Sequence, residues 1–522
     1  MSALLGKHAE AKGDHPALID ERGVTSWAEA DSRVNRLIHG LRSMGLTAGD
    51  TISVVSGNRR EWYEVAGALS HAGIRYVPVN WHWSAAELSY VLENSDSKAM
   101  VVEDQFVELA REALARDDAP DLDGRIVVVG EPDDLGTAYE ALLAGQPDDE
   151  PEDQGLGGPM FYTSGTTGRP KGVASGGPLG GGNADPAILE FIGAGLTGTL
   201  DVPADGTSLI VGPVYHSAQW AWSFLPFIAG STIVSRHRFD PAETLRLIDD
   251  HAVTNIHLVP TQFVRMLRLD DDTKDDFDGS SLECVWHGAA PCSPEVKRRM
   301  LDWWGPVVHE YYGSTEGSVV TAIRGHEWPD HPTSVGTSLG MVEISILDDD
   351  GNEMPTGESG TIWMKNLMGT EFEYHKDKEK TDANRRDGGL FTTGDVGFLD
   401  DEGFLHLSDR KIDMIISGGV NIYPAEIEGV LVTHPAVSDA AVFGIPNEEF
   451  GEEVKGAVKL LDGFEASDEL ADEIREHVRG ELAGYKVPRS IDFEDDFPRT
   501  ETGKLQKRLL RDRYWEGAGR AI

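Results

Sequence analysis

The chain has 522 residues, 40% of them hydrophobic, and a formal net charge of −44. That length exceeds one compact core and fits two to four domains. The acidic excess argues against nucleic acid or anionic lipid as a partner, because their phosphates would be repelled. No apolar run reaches the roughly eighteen residues of a membrane span, and the opening MSALLGKHAEAKGDHPALID lacks the apolar core of a secretory signal. Cys284 and Cys292 are too few for a disulfide framework, so a cytoplasmic setting is expected. The acid gathers in patches such as DDAPDLDG, QPDDEPEDQG and LDDDTKDDFDG, which read as solvated loops. A saline habitat is the alternative reading, and an activity that collapses in moderate salt would rule it out.

In chain order, WAEADSRVNRLIHGLRSMG carries apolar positions at helical spacing and stops at a glycine. DTISVVSGN reads as a strand, EWYEVAGALSHAG as a helix and IRYVPVN as a strand, an alternation that implies βαβ units and a largely parallel sheet. GQPDDEPEDQGLGGP is a polar connection. The rhythm resumes with the strands TSLIVGP and STIVSRHRF, the helix PAETLRLIDDHAV, the strand TNIHLVPT and the helix PEVKRRMLDWWG, which ends at Gly305. From 333 to 408 the helices thin out. MVEISILDDDGNEMPTGESGTIWMKN predicts a hairpin around DDDGNE, and LFTTGDVGFLDDEGFLHLSD a second pair of strands around a glycine turn. The tail from about 413 is mixed again: DMIISGGVN, the helix PAEIEGVLVTHP, the strand DAAVFGIP, the helix DELADEIREHVRGELA and a basic end. SDRKID at 408–413 is the candidate joint, and no internal repeat appears.

The chemistry concentrates in short motifs. YTSGTTGRPKG at 162–172 supplies the hydroxyls of Thr163, Ser164, Thr166 and Thr167, close backbone approach at Gly165, Gly168 and Gly172, and the charge of Lys171. Amides, hydroxyls and a cation converging on one point suit a polyphosphate such as that of ATP. The lysine is followed by glycine, so this is not the GxxxxGK[ST] loop of P-loop ATPases. In EYYGSTEG, Tyr312 ahead of Gly313 would stack on a flat base, and Glu316 offers Mg²⁺ the oxygen ligand a hard ion prefers. Alone, that motif reads equally well as a core tyrosine and a turn. TTGDVG places Asp395 on a glycine turn, where its carboxylate would accept both ribose hydroxyls, with Arg410 of SDRKID in reach of the ribose or phosphates. PRTETGKLQKRLL sets Lys504 at a turn ahead of a helix, whereas Lys507, Arg508 and Arg511 read as an exposed basic tail.

Six motifs in order, YTSGTTGRPKG, GAAP, YYGSTEG, TGD, LSDRKIDMIISGGVNIYPAEIE and PRTETGKLQK, resemble the adenylate-forming superfamily of acyl-CoA synthetases, luciferases and nonribosomal peptide synthetase adenylation domains. The resemblance covers nearly the whole chain, and its details look most like bacterial fatty-acyl-CoA synthetases of lipid and steroid-side-chain metabolism. It implies an α/β fold: a large N-terminal domain of α/β sheets with a β-rich subdomain over 1–409, a hinge at 410–412, and a small mobile α+β lid over 413–522. It implies attack of a carboxylate on the α-phosphate of ATP, release of pyrophosphate, then transfer of the acyl group to coenzyme A with loss of AMP. By the same resemblance Lys504 bridges carboxylate and α-phosphate, while Thr163, Ser164, Gly165, Thr166, Thr167, Gly168 and Lys171 hold pyrophosphate. Gly288, Ala289, Ala290, Tyr312, Gly313 and Ser314 belong to the ATP site, and Thr315 with Glu316 positions Mg²⁺ and phosphate. Ser417, Gly418 and Gly419 line the pantetheine channel once the lid has turned.

One departure is Ile412, where the family commonly carries Asp or Lys at its hinge. By the resemblance, VYHSAQWAWSFLPFIAG would line the acyl site, with His216 near the reacting carboxylate and Trp220, Trp222 and Phe224 forming an acyl pocket, although aromatics so spaced are equally core packing. No Arg or Lys falls in that stretch, so an apolar monocarboxylic acid is expected. The rival readings are a ligase that loads a carrier protein and a nucleotide-binding regulator that has lost turnover; the presence of Lys504 and Glu316 speaks against the second. The expected partners are the acid, ATP and CoA, with a second copy of the chain as a candidate, and neither nucleic acid nor an integral membrane segment.

Overall fold

The computed structural model describes residues 4–163, 169–175, 185, 187–367, 372–410, 413–417, 420–447, 450–499 and 505–515. Ser164, Gly165, Thr166, Thr167, Gly168, Lys411, Ile412, Gly418, Gly419 and Lys504 lie outside the described residues.

The expected βαβ alternation is a five-stranded, all-parallel sheet in the order Arg75–Pro78, Thr51–Val55, Ser97–Glu103, Ile126–Val129 and Thr137–Ala138. Its strands are buried along their length, as in Thr51–Val55 and the IVVV of Ile126–Val129. Helices on both faces of a parallel sheet exclude water from both sides of each strand, which is why these segments read as apolar runs rather than alternations. Around them the helix Trp27–Ser43 starts where expected, because Ser26 accepts the Glu29 amide, and the helix Ala85–Asn94, not expected from the sequence, starts at Ser84, which accepts the Glu87 amide in a full capping box.

A second sheet of nine strands carries the site. Its centre is parallel, in the order Val308–Ser314, Cys284–His287, Asn255–Leu258, Thr207–Ile210, Thr232–Ser235 and Pro16–Asp20. Ser318–Ile323 folds back antiparallel on Val308–Ser314, so a tight turn closes between them at 315–317. The β-rich region is the antiparallel sheet that holds Val342–Leu347, Gly360–Asn366, Asp395–Leu399 and Leu405–Arg410. The expected turn is present at Asp348–Asn352, where Gly351 has a φ of 90° and Asp348 accepts the Asn352 amide; the connection then runs on to 359.

In the tail, Pro424–Leu431 and Asp468–Glu481 are the expected helices. The strand Val437–Asn447 pairs with Gly451–Leu460, a long partner strand that the sequence reading left unassigned. Large N-terminal α/β sheets, a β-rich region and a small α+β tail therefore agree with the expected class. VYHSAQWAWSFLPFIAG, whose aromatics recur at every second position, is a helix over Ser217–Ala229. Among the described residues no helix is long and apolar enough to cross a membrane.

Candidate functional site

The motifs converge at the ends of the sheet strands, at the C-terminal edge where ligands of open α/β sheets bind. Val308–Ser314 delivers Tyr312, Gly313 and Ser314. Gly313 is required there: a Cβ would stand 2.2 Å from the Ser318 carbonyl oxygen across the turn. Cys284–His287 delivers Gly288, Ala289 and Ala290, and a Cβ on Gly288 would meet the Tyr311 ring at 2.6 Å. Ala289 holds a φ of 65°, a left-handed conformation that costs a residue with a side chain.

The Tyr312 hydroxyl donates to Asp395 Oδ2 at 2.7 Å, and the Thr393 hydroxyl donates to the same oxygen at 2.7 Å. The YYGSTEG and TGD motifs, distant in sequence, thereby share one carboxylate. Arg410 sits directly opposite Asp395 in the antiparallel ladder. In the turn, Thr315 Oγ1 lies 3.0 Å from Ser217 Oγ, which joins the turn to the first residue of the helix Ser217–Ala229. His216 is the N-cap position of that helix. Glu316 Oε1 accepts the Tyr374 hydroxyl at 2.9 Å.

Lys171 opens the strand Lys171–Ser175, opposite Thr163. Its ammonium stands 3.7 Å from Asp377 Oδ2 and 6.0 Å from the centre of the Tyr374 ring. Burial, and next the nearby Lys380 ammonium, lower it from its ordinary value to about 8. Ser417 ends the strand Ile415–Ser417 in the tail, paired with Val420 and Gly451.

The structure does not bring Trp220, Trp222 and Phe224 onto one surface. Helical spacing puts Trp220 and Phe224 on one side, where Phe224 is fully buried against Trp62 and Phe227 and the Trp220 indole donates to Tyr76. Trp222 faces the other way and stacks on Tyr311 at 4.5 Å. The sequence reading missed Thr393, Ser217, Tyr374, Asp377 and Lys380. Thr393 belongs to the TTGDVG motif. Asp377 and Lys380 lie in HKDKEKTD, a charge run that by itself reads as solvated surface.

Residues 5–369 match the AMP-binding enzyme family, and 426–504 match the AMP-binding enzyme C-terminal domain. The chain belongs to this family, that of the AMP-forming acyl-CoA synthetases. It is 33% identical over 529 residues to the 3-oxocholest-4-en-26-oate–CoA ligase of Rhodococcus rhodochrous, covering 94% of this chain and 92% of that one. It is 29% identical over 530 residues to the fatty acid–[acyl-carrier-protein] ligase ScoC of Streptomyces coeruleorubidus, covering 99% and 96%. Among solved structures, the o-succinylbenzoate CoA synthetase MenE from Bacillus subtilis, in complex with its acyl-adenylate OSB-AMP, superposes with a TM-score of 0.80 at 26% identity over 100% of this chain and 99% of that one.

Proposed function

We propose that the protein activates an apolar monocarboxylic acid, a medium- or long-chain fatty acid or a steroid side chain, to its acyl-adenylate and then passes the acyl group to CoA. The observation that carries this reading is the Tyr312–Asp395 hydrogen bond, which sets an aromatic face beside a carboxylate oriented by two hydroxyls. Tyr312 stacks on adenine, with Gly288, Ala289, Ala290, Gly313 and Ser314 lining the nucleotide, and Asp395 and Arg410 take the ribose. Thr163 and Lys171, with the intervening residues 164–168, hold the pyrophosphate that leaves. Lys504 sits between the acid and the α-phosphate, where two anions must approach and a fixed cation lowers the barrier most. His216 lies beside the acid's carboxylate, and Trp220, Trp222 and Phe224 give the neighbouring helix its apolar bulk.

Glu316 fits a Mg²⁺ ligand: it is an oxygen donor whose orientation Tyr374 sets. Glu316 would hold the ion together with substrate phosphate, as Mg²⁺ sites commonly combine one or two carboxylates with phosphate oxygens. When bound it offsets phosphate charge.

The joint stays at 410–412, between a body of 1–409 and a lid of 413–522, and the lid exchanges Lys504 for Ser417, Gly418 and Gly419 between the half-reactions. The setting is the cytoplasm, and a second copy of the chain remains a candidate partner. The steroid-acid relative supports CoA as acceptor; the name of ScoC favours a second reading, in which the acceptor is a carrier protein. Release of pyrophosphate and AMP from Mg·ATP, measured over a panel of carboxylic acids with and without CoA, separates them. CoA-dependent AMP release with an apolar acid is the expected result. Pyrophosphate release that CoA leaves unchanged favours the carrier protein, and preference for acetate or an amino acid overturns the reading of an apolar acid.

A further inference from the structure

We propose that Lys380 is a second phosphate-binding cation of this site, acting with Lys171 across the ring of Tyr374 on the terminal phosphates of ATP and on departing pyrophosphate. The assignment rests on the adenylation reading above. Three elements build it. Tyr374 ends the strand Phe372–Tyr374, which pairs antiparallel with Lys171–Ser175, so Tyr374 lies opposite Val173, two residues from Lys171. The helix Lys378–Ala383 follows at once and carries Lys380. The two ammonium groups stand 6.0 and 5.4 Å from the centre of the same tyrosine ring, whose π-face attracts cations and holds both in place.

The charges there are unbalanced. Asp377 touches both residues: its Oδ2 faces the Lys171 ammonium, while its Oδ1 accepts the Lys380 backbone amide at 3.1 Å. Among the described residues no carboxylate stands in ion-pair contact with the Lys380 ammonium. Two cations share one counter-charge, and their mutual repulsion is part of what pushes the Lys171 ammonium down to about 8. A multiply charged anion between them removes that repulsion, and phosphate oxygens accept from ammonium donors. Tyr374 also hydrogen-bonds Glu316, so the ring that carries the two cations orients the carboxylate assigned to Mg²⁺ as well. Thr163 lies directly opposite Lys171, so Lys171 stands beside the end of the strand Phe161–Thr163. In a chain of net charge −44 such a local cation pair gives an anionic substrate an attractive place to land.

The test uses the full-length protein and calorimetric binding of Mg·ATP, pyrophosphate and AMP to wild type, Lys380→Met and Lys380→Arg. The expected result is that Lys380→Met weakens ATP and pyrophosphate about tenfold or more, keeps AMP within about twofold, and that Lys380→Arg restores most of the loss. Retained AMP binding also shows that the variant is folded. Unchanged ATP and pyrophosphate binding in Lys380→Met overturns the assignment, as does an equal loss for AMP or a failure of arginine to restore binding. Those outcomes leave the adenylation reading standing. A wild type that binds neither ATP nor pyrophosphate sinks that reading and this assignment with it.

Discussion

Tyr311 and Tyr312 are neighbours on one strand, and the pleat sends them to opposite faces of the sheet. Tyr311 meets neutral, packed groups. Its ring stacks on Trp222 at 4.5 Å, and its hydroxyl lies 3.1 Å from His257 Nε2. The Gln219 amide donates to His257 Nδ1 at 2.9 Å, so the neutral imidazole carries its proton on Nε2 and donates it to Tyr311. Tyr312 meets charge, donating to Asp395 beside Thr393. Both side chains are buried, but one meets neutral aromatic partners and the other a carboxylate, so the role proposed for each follows from its partner rather than its type. Core residues on the first face should govern stability, and residues on the second should govern nucleotide affinity.

The largest effect expected is on the sealed face. Trp222→Ala should cost about 3–5 kcal/mol in denaturant unfolding, the loss of a buried indole plus the cavity left behind; a loss below about 1 kcal/mol would mean that this face is not packed as described. On the ligand face, Asp395→Asn should lower kcat/KM for ATP by about thirtyfold, the equivalent of about 2 kcal/mol for charge-assisted hydrogen bonds, with little change in Tm. A large Tm drop without an ATP effect would reverse the assignment of the two faces.

Acid sharpens the contrast. Burial lowers His257 from its ordinary value of 6.5 to about 3. Below pH 6.5 the unfolded chain takes up a proton that the folded chain refuses, so stability is complete above pH 6.5 and falls as pH drops toward 3. At about pH 5.5 the loss from this residue is about 1.4 kcal/mol, and His257→Gln should remove that part of the slope in a series of unfolding curves. The smallest effect expected is Ala289→Gly. Relief of the left-handed φ outweighs the added freedom of the unfolded chain, giving a gain of about 0.5 kcal/mol by the same unfolding measurement.

Much of this organisation was legible in the chain itself. The parallel strands read as apolar runs, helical spacing and the closing glycine marked the helix at Trp27–Ser43, and the motif order pointed to the family. The helix Ser217–Ala229 shows one limit: aromatics at 220, 222 and 224 imitate a strand, and only the packing of Trp220 and Trp222 into separate parts of the core reveals helical periodicity. Lys380 shows another. Its meaning comes from Lys171, which the antiparallel pairing of Phe372–Tyr374 with Lys171–Ser175 brings near across a gap of some two hundred residues. No local pattern encodes that approach, and a run of alternating charge looks the same whether or not a ligand is waiting beside it.

The stacking of Trp222 on Tyr311 also has an optical consequence. One of the twelve tryptophans, Trp222, stacks on Tyr311, the chain neighbour of the tyrosine assigned to adenine, on the opposite face of the sheet. Its emission should respond to occupancy of Tyr312, and subtracting the spectrum of a Trp222→Phe variant would isolate that response from the other eleven indoles, giving the protein a built-in fluorescent gauge of nucleotide binding.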